Sequence, residues 1–183
     1  MGTPLNIILV GFMGAGKTTS GKELAHVLGF QFLDLDQLIE EHCGMKIPDI
    51  FEKMGQDHFR KKEIEAVDSL ISKMNYVIST GGGVWSNPEN RKKLLNLGLC
   101  VWLKVSPEKA FKRIEPYLSH RPLLASSSDP LKTITGLLIE RETDYSKAHL
   151  TVNTDDKNPK QTALEIVEYL KKDKSFDLRS MQK

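Results

Sequence analysis

The apolar residues 7–10 break directly into Gly11-Phe12-Met13-Gly14-Ala15-Gly16-Lys17-Thr18, and the chain then takes up a helical period as far as about Leu28. This succession of strand, glycine loop and helix constrains the fold more than any other stretch. The spacing Gly-x-x-x-x-Gly-Lys-Thr is that of a loop which wraps backbone N–H groups around phosphate oxygens. Its glycines let the backbone at Gly14, Ala15 and Gly16 turn inward, and the helix N-terminus adds partial positive charge. Lys17 reaches the β- and γ-phosphates, and the Thr18 hydroxyl is a ligand for Mg²⁺. Each part answers a negative charge, and the context of strand before and helix after makes an accidental glycine turn the weaker reading.

Further apolar, β-rich runs at Asn6–Val10, 31–33, Tyr76–Ser79, 99–103 and 150–152 alternate with longer segments of helical period. That alternation predicts βα units: five parallel strands with helices on both faces, a three-layer α/β/α architecture. Helix starts are marked by Asn87-Pro88, Ser106-Pro107, Asp129-Pro130 and Asn158-Pro159, and helix ends by Gly29, Gly44 and Gly98. A chain of 183 residues suits one domain, placed at 1–172, with a polar tail at 173–183 expected to fray. Residues 115–128 hold Pro116, Pro122 and three consecutive serines; an irregular segment of this length inside a compact domain reads as a mobile lid.

Composition narrows the partners. The net charge of +2, with acids and bases mixed, provides no strong field for nucleic acid, and no apolar run approaches the ~20 residues of a membrane span. Cys43 and Cys100 stand far apart without metal-like spacing, so no disulfide framework or zinc site is expected. With the first strand so near Met1, no export signal is expected either, and a reducing cytoplasm fits.

The phosphate loop alone leaves the phosphoryl acceptor open. Asp34-Leu35-Asp36 falls at the carboxyl edge of the second strand, where ligands of open α/β sheets collect. If the strand persists, period two points both carboxylates the same way, one toward a hydrated metal and one toward an acceptor hydroxyl. The plainer alternative is that Asp36 caps the next helix. Gly81-Gly82-Gly83 follows the third strand, and three glycines in a row suggest close approach of a ligand. Arg60 has Glu63 one helical turn on; taken alone, that pair reads as an ordinary surface ion pair.

In order and spacing, these motifs together resemble the shikimate kinases over nearly the whole chain. The pattern comprises the P-loop at 11–18, Asp34/Asp36, the Gly-x-x-x-Phe-Arg segment at 55–60, the glycines at 81–83, Arg-Pro-Leu-Leu at 121–124 and Arg141. The resemblance implies the nucleoside-monophosphate-kinase-like fold, with strand order 2-3-1-4-5. It also implies transfer of the γ-phosphate of Mg-ATP to the 3-hydroxyl of shikimate, giving 3-phosphoshikimate and ADP for chorismate and aromatic amino acid synthesis. Asp36 would then bind the shikimate hydroxyls and take the proton, Arg60 and Arg141 would grip the carboxylate, and Gly81, Gly82 and Gly83 would add backbone contacts. Asp34 would act on Mg²⁺ through water. Arg121 would swing onto the transferred phosphoryl group with Lys17. Thr19, Arg113, Lys157 and Asn158 would complete the ATP site, Arg113 packing on adenine. A cytoplasmic monomer with ATP and shikimate as its partners, and neither nucleic acid nor membrane, completes the expectation.

Some residues depart from the family pattern. Glu115-Pro116-Tyr117-Leu118-Ser119-His120 is not glycine-rich, which implies a stiffer lid or a different hinge. His120 reads as a bystander, Trp85 as packing beneath the substrate loop, and Glu142-Thr143-Asp144 stands where relatives often have proline. Two other readings keep the fold: a kinase for another small hydroxy acid such as gluconate, and a non-catalytic nucleotide-sensing domain. Lys17, Thr18, Asp36 and Arg121 speak against the second, because a sensor needs no acceptor-site carboxylate or lid arginine.

Overall fold

The computed structural model describes residues 6–120, 124 and 127–173. Five strands, β1 (Asn6–Val10), β2 (Gln31–Asp34), β3 (Tyr76–Ser79), β4 (Gly98–Lys104) and β5 (Leu150–Asn153), form one sheet in the order β2-β3-β1-β4-β5. Every pairing is parallel, with Ile8 of β1 in register with Ile78 of β3 and Cys100 of β4. The expected strand order is therefore present, and the expected strands are right to within a residue at each end.

Parallel sheets are covered on both faces, which is why β1 is apolar at successive positions instead of alternating. Ile7 and Leu9 pack into one core with Leu24, Val101, Leu103 and Ile166. Ile8 and Val10 face the other core, with Trp85, Trp102 and Tyr145. These four β1 residues are fully buried, so truncating Ile7, Ile8 or Leu9 to alanine is expected to cost ~2–5 kcal/mol.

The helices are α1 (Lys17–Leu28), α2 (Leu35–Cys43), α3 (Ile47–Asp68), α4 (Pro88–Leu97), α5 (Pro107–Ile114), α6 (Pro130–Tyr145) and α7 (Pro159–Lys172). Asn87, Ser106, Asp129 and Asn158 each accept a backbone N–H as the N-cap, with proline next, as the sequence predicts. Gly29 and Gly44 end α1 and α2 in the left-handed conformation. Gly98 ends α4 for a different reason. Its backbone is extended, and it starts β4 so close to β1 that a Cβ would lie 2.1 Å from the Asn6 carbonyl oxygen.

The local reading around Asp34 and Asp36 needs correction. β2 stops at Asp34 and α2 begins at Leu35, so Asp34 and Asp36 are not successive same-face residues of a strand. The residue that caps α2 is Asp34, its side chain accepting from the amides of Asp36 and Gln37. In addition, α3 is kinked at Gly55, whose φ of 81° lies outside helical geometry.

The lid expected at 115–128 is described only in part: residues Glu115–His120 form a 3₁₀ turn after α5. Arg121, the His120 side chain and the tail from residue 174 lie outside the described residues. Among the described residues, no helix is long and apolar enough to cross a membrane.

Candidate active site

Because β1 is the central strand, residues 11–18 emerge at the middle of the sheet's carboxyl edge. The loop closes on itself. Lys17 donates to the carbonyl oxygens of Gly11 and Phe12, both at 2.9 Å, and its side chain is almost wholly buried. Gly14 takes φ 78°, and a Cβ there would stand 2.9 Å from the Ala110 carbonyl oxygen, so this turn has no room for another residue. Thr19 hydrogen-bonds back to the Gly16 carbonyl at 3.1 Å.

Thr18 and Asp34 meet at the mouth of this loop. The Thr18 hydroxyl donates to Asp34 Oδ2 at 2.7 Å, while Asp34 Oδ1 accepts from Asp36 N at 3.1 Å and from Gln37 N at 3.4 Å. One carboxylate oxygen thus orders α2 and the other stands beside a hydroxyl. An adjacent hydroxyl and carboxylate are hard oxygen donors of the kind Mg²⁺ prefers, and that ion characteristically keeps waters and phosphate oxygens as its remaining ligands. This pair fits the ion. Among the described residues, no group of three His, Cys, Asp or Glu side chains forms a separate metal cluster.

Beside the loop opens a cleft of about 820 Å³. Its polar lining brings together Asp36 from α2, Arg60 and Glu63 from α3, and Arg141 from α6, over the backbone at 81–83. Phe51 and Phe59 supply an apolar side, their ring centroids 4.8 Å apart. The glycines are explained by the site's own side chains. A Cβ on Gly81 would lie 2.5 Å from Asp36 Oδ1, and one on Gly83 would lie 2.5 Å from Arg60 Nη1. Side chains at these positions would push the carboxylate and the guanidinium out of place.

Arg60 and Glu63 are not the surface pair expected from their spacing. Arg60 Nη1 donates to Glu63 Oε2 at 2.6 Å, and the Glu63 side chain is 3% exposed. Burial pushes the Glu63 carboxyl above its usual value, with Arg60 opposing that shift, the Asp36 charge adding to it and Arg141 opposing it. Arg141 donates to the Gly82 carbonyl at 3.0 Å and lies over the Phe12 ring at 5.8 Å. Two guanidinium groups and two carboxylates therefore share one cleft, and the formal charges of these four groups balance.

On the nucleotide side, Arg113 donates to the carbonyls of Gly14 (3.0 Å), Thr154 (2.5 Å) and Asp155 (3.2 Å) and to the Thr154 hydroxyl (3.3 Å). These bonds brace the phosphate loop against the segment after β5. They use the edge of the guanidinium, an arrangement compatible with stacking on its face. Lys157 binds the Asn153 carbonyl and Glu165, and the Asn158 side chain is occupied in a capping box with Gln161.

Two supporting side chains, Tyr145 and Arg91, carried no mark in the sequence, and a third, Trp85, did. Tyr145 is fully buried and donates to the Gly82 carbonyl at 2.7 Å. Arg91 pairs with Asp144 at 2.9 Å and donates to the Trp85 carbonyl at 3.0 Å. Trp85, expected to pack beneath the loop, is fully buried, and its indole N–H donates to the Asp144 carbonyl at 2.7 Å. The available signal was the helical spacing of Arg141 and Tyr145, which sets both on one face of α6.

A phosphate loop at the centre of a five-stranded parallel sheet, facing a cleft with a carboxylate and two arginines, defines a P-loop small-molecule kinase. The chain belongs to the shikimate kinase family: the family model described as "Shikimate kinase" matches residues 13–171. A shikimate kinase of Caldanaerobacter subterraneus subsp. tengcongensis is 45% identical over 88% of this chain and 94% of its own length. The structure of the shikimate kinase from Acinetobacter baumannii in complex with shikimate superposes with a TM-score of 0.90 at 38% identity, covering 94% of this chain and 96% of that one. A gluconokinase from Sinorhizobium meliloti reaches a TM-score of 0.58 at 18% identity over 93% of this chain and 95% of that one, a likeness of fold alone.

Proposed function

We propose that this chain transfers the γ-phosphoryl group of ATP to the 3-hydroxyl of shikimate, giving 3-phosphoshikimate and ADP on the route to chorismate and the aromatic amino acids. The observation that carries this reading is the convergence of Asp36, Arg60 and Arg141 in a cleft beside Thr18 and Lys17. Arg60 and Arg141 grip the acceptor carboxylate, for which a planar guanidinium is suited. Asp36 binds the reacting hydroxyl and takes its proton as the oxygen attacks phosphorus in line. The bond from phosphorus to the β-phosphate oxygen breaks, and ADP leaves. Lys17 draws off charge as it builds on the phosphoryl oxygens, and Arg121 acts with it from the lid at 115–128. Thr18 would hold Mg²⁺ directly and Asp34 would hold it through water, and the ion would supply charge neutralisation on the nucleotide phosphates. Arg113, Lys157 and Asn158 flank the adenine.

Residues 1–172 work as one domain, and the enzyme acts as a cytoplasmic monomer. The test is ADP release from ATP with shikimate, with gluconate or with no acceptor. Strong dependence on shikimate is expected. Equal rates with gluconate would reassign the acceptor, and nucleotide binding without turnover on any acceptor would make the chain a sensor.

A further inference from the structure

The Gly82 carbonyl accepts from Arg141 at 3.0 Å and from the Tyr145 hydroxyl at 2.7 Å, so both of its lone-pair directions are used by one face of α6. Tyr145 itself is fully buried and its ring stacks on Trp102 of β4, with centroids 5.7 Å apart and planes at 22°. Phenylalanine would fill that space equally well. The hydroxyl reaches past the core to the substrate loop, and burial pushes it up to about 12, with the Arg141 guanidinium opposing, so it remains a proton donor at any working pH. The next residue back is anchored independently, Asp144 being held by Arg91 through its carboxylate and by Trp85 through its carbonyl.

We propose that Tyr145 is a positioning residue for acceptor binding: its hydroxyl, by holding the Gly82 carbonyl, sets the glycine loop and the Arg141 guanidinium in the geometry that receives the acceptor carboxylate. The inference rests on the acceptor reading above and deepens it. Tyr145 does not line the cleft. Its effect passes through Gly82 and Arg141, and with the hydroxyl gone Arg141 is the only side chain among the described residues donating to that carbonyl.

The test is Tyr145→Phe, alone and combined with Arg141→Ala, with KM measured separately for shikimate and ATP alongside the melting temperature. Loss of one hydrogen bond predicts a rise of ~3–10-fold in KM for shikimate, with KM for ATP and kcat at saturation within about twofold of the unaltered chain. In the Arg141→Ala background the same change is expected to add nothing, because the grip it positions is gone. An unchanged KM for shikimate overturns the proposal. So does a parallel rise of both KM values with a large fall in melting temperature, the mark of a purely structural role, and so does an undiminished effect beside Arg141→Ala. Absence of shikimate-dependent ADP release from the unaltered chain would instead overturn the acceptor reading, a failure visible before any variant is made.

Discussion

The two halves of the cleft are built in opposite ways. The phosphate side is local: six consecutive residues turn between β1 and α1, and Lys17 at the start of α1 is tied to carbonyls of that loop at Gly11 and Phe12. The acceptor side is assembled at long range, with Asp36 on α2, Arg60 and Glu63 on α3, the glycines after β3, and Arg141 and Tyr145 on α6. Backbone amides and a helix end can hold a phosphate wherever the loop folds. A hydroxylated acid needs several side chains at fixed separations, and only packed helices supply them. Binding of the common group is therefore written in one motif, and selection of the acceptor in the tertiary fold.

The largest break in this comparison is expected from Lys17→Met, which should lower kcat by ~10³-fold or more, since charge stabilisation at the transferred phosphoryl group is lost. Circular dichroism should show an intact fold, and a fall below tenfold would demote Lys17. Next comes Asp36→Asn, expected to lower kcat by ~10²–10⁴-fold through loss of the proton acceptor, with ATP affinity unchanged by titration calorimetry. Unaltered turnover would remove Asp36 from the chemistry. Arg113→Ala unties the one described brace that links the phosphate loop to the segment after β5 through a guanidinium. KM for ATP should rise ~10-fold while KM for shikimate stays near its original value, and equal effects on both would blur the division.

The smallest effect should come from Glu63→Gln, and it depends on pH. The folded-state value of Glu63 is raised above the ordinary 4.5, chiefly by burial, so the folded protein holds this proton more tightly than the unfolded chain does. Its contribution to stability is therefore fully present below 4.5 and is lost as pH rises from there through the raised value. Melting curves across that range should show the unaltered chain losing ground to Glu63→Gln as pH increases. Near neutral pH the variant should raise KM for shikimate by ~3–10-fold through a loosened Arg60. Identical pH profiles would mean that Glu63 does not titrate there.

How much of this was legible depended on whether the cause was local. The caps at Asn87, Ser106, Asp129 and Asn158 were readable because capping is an interaction within one turn of helix. Asp34 and Asp36 were readable as a pair of carboxylates, but strand and helix compete for the same four residues, and the cap made by Asp34 decided in favour of helix. The kink at Gly55 escaped because an isolated glycine in a helical pattern reads equally as a tolerated interior residue. Glu63 was misjudged as exposed, since the spacing of an ion pair carries no information about what packs over it. Tyr145 carried no mark, because a hydroxyl reports nothing of its partner until the chain has brought the loop after β3 and α6 together.

By itself the sequence determined the order of elements, the parallel sheet and the loop that holds phosphate, because periodicity, caps and glycine spacing act over a few residues. Only the tertiary structure decided that the glycines at 81–83 make room for Asp36 and Arg60, that Glu63 is buried against its arginine, and that Tyr145 steadies the Gly82 carbonyl. Those facts depend on distances between elements far apart in the chain, and such distances exist only once the two faces of the sheet are packed.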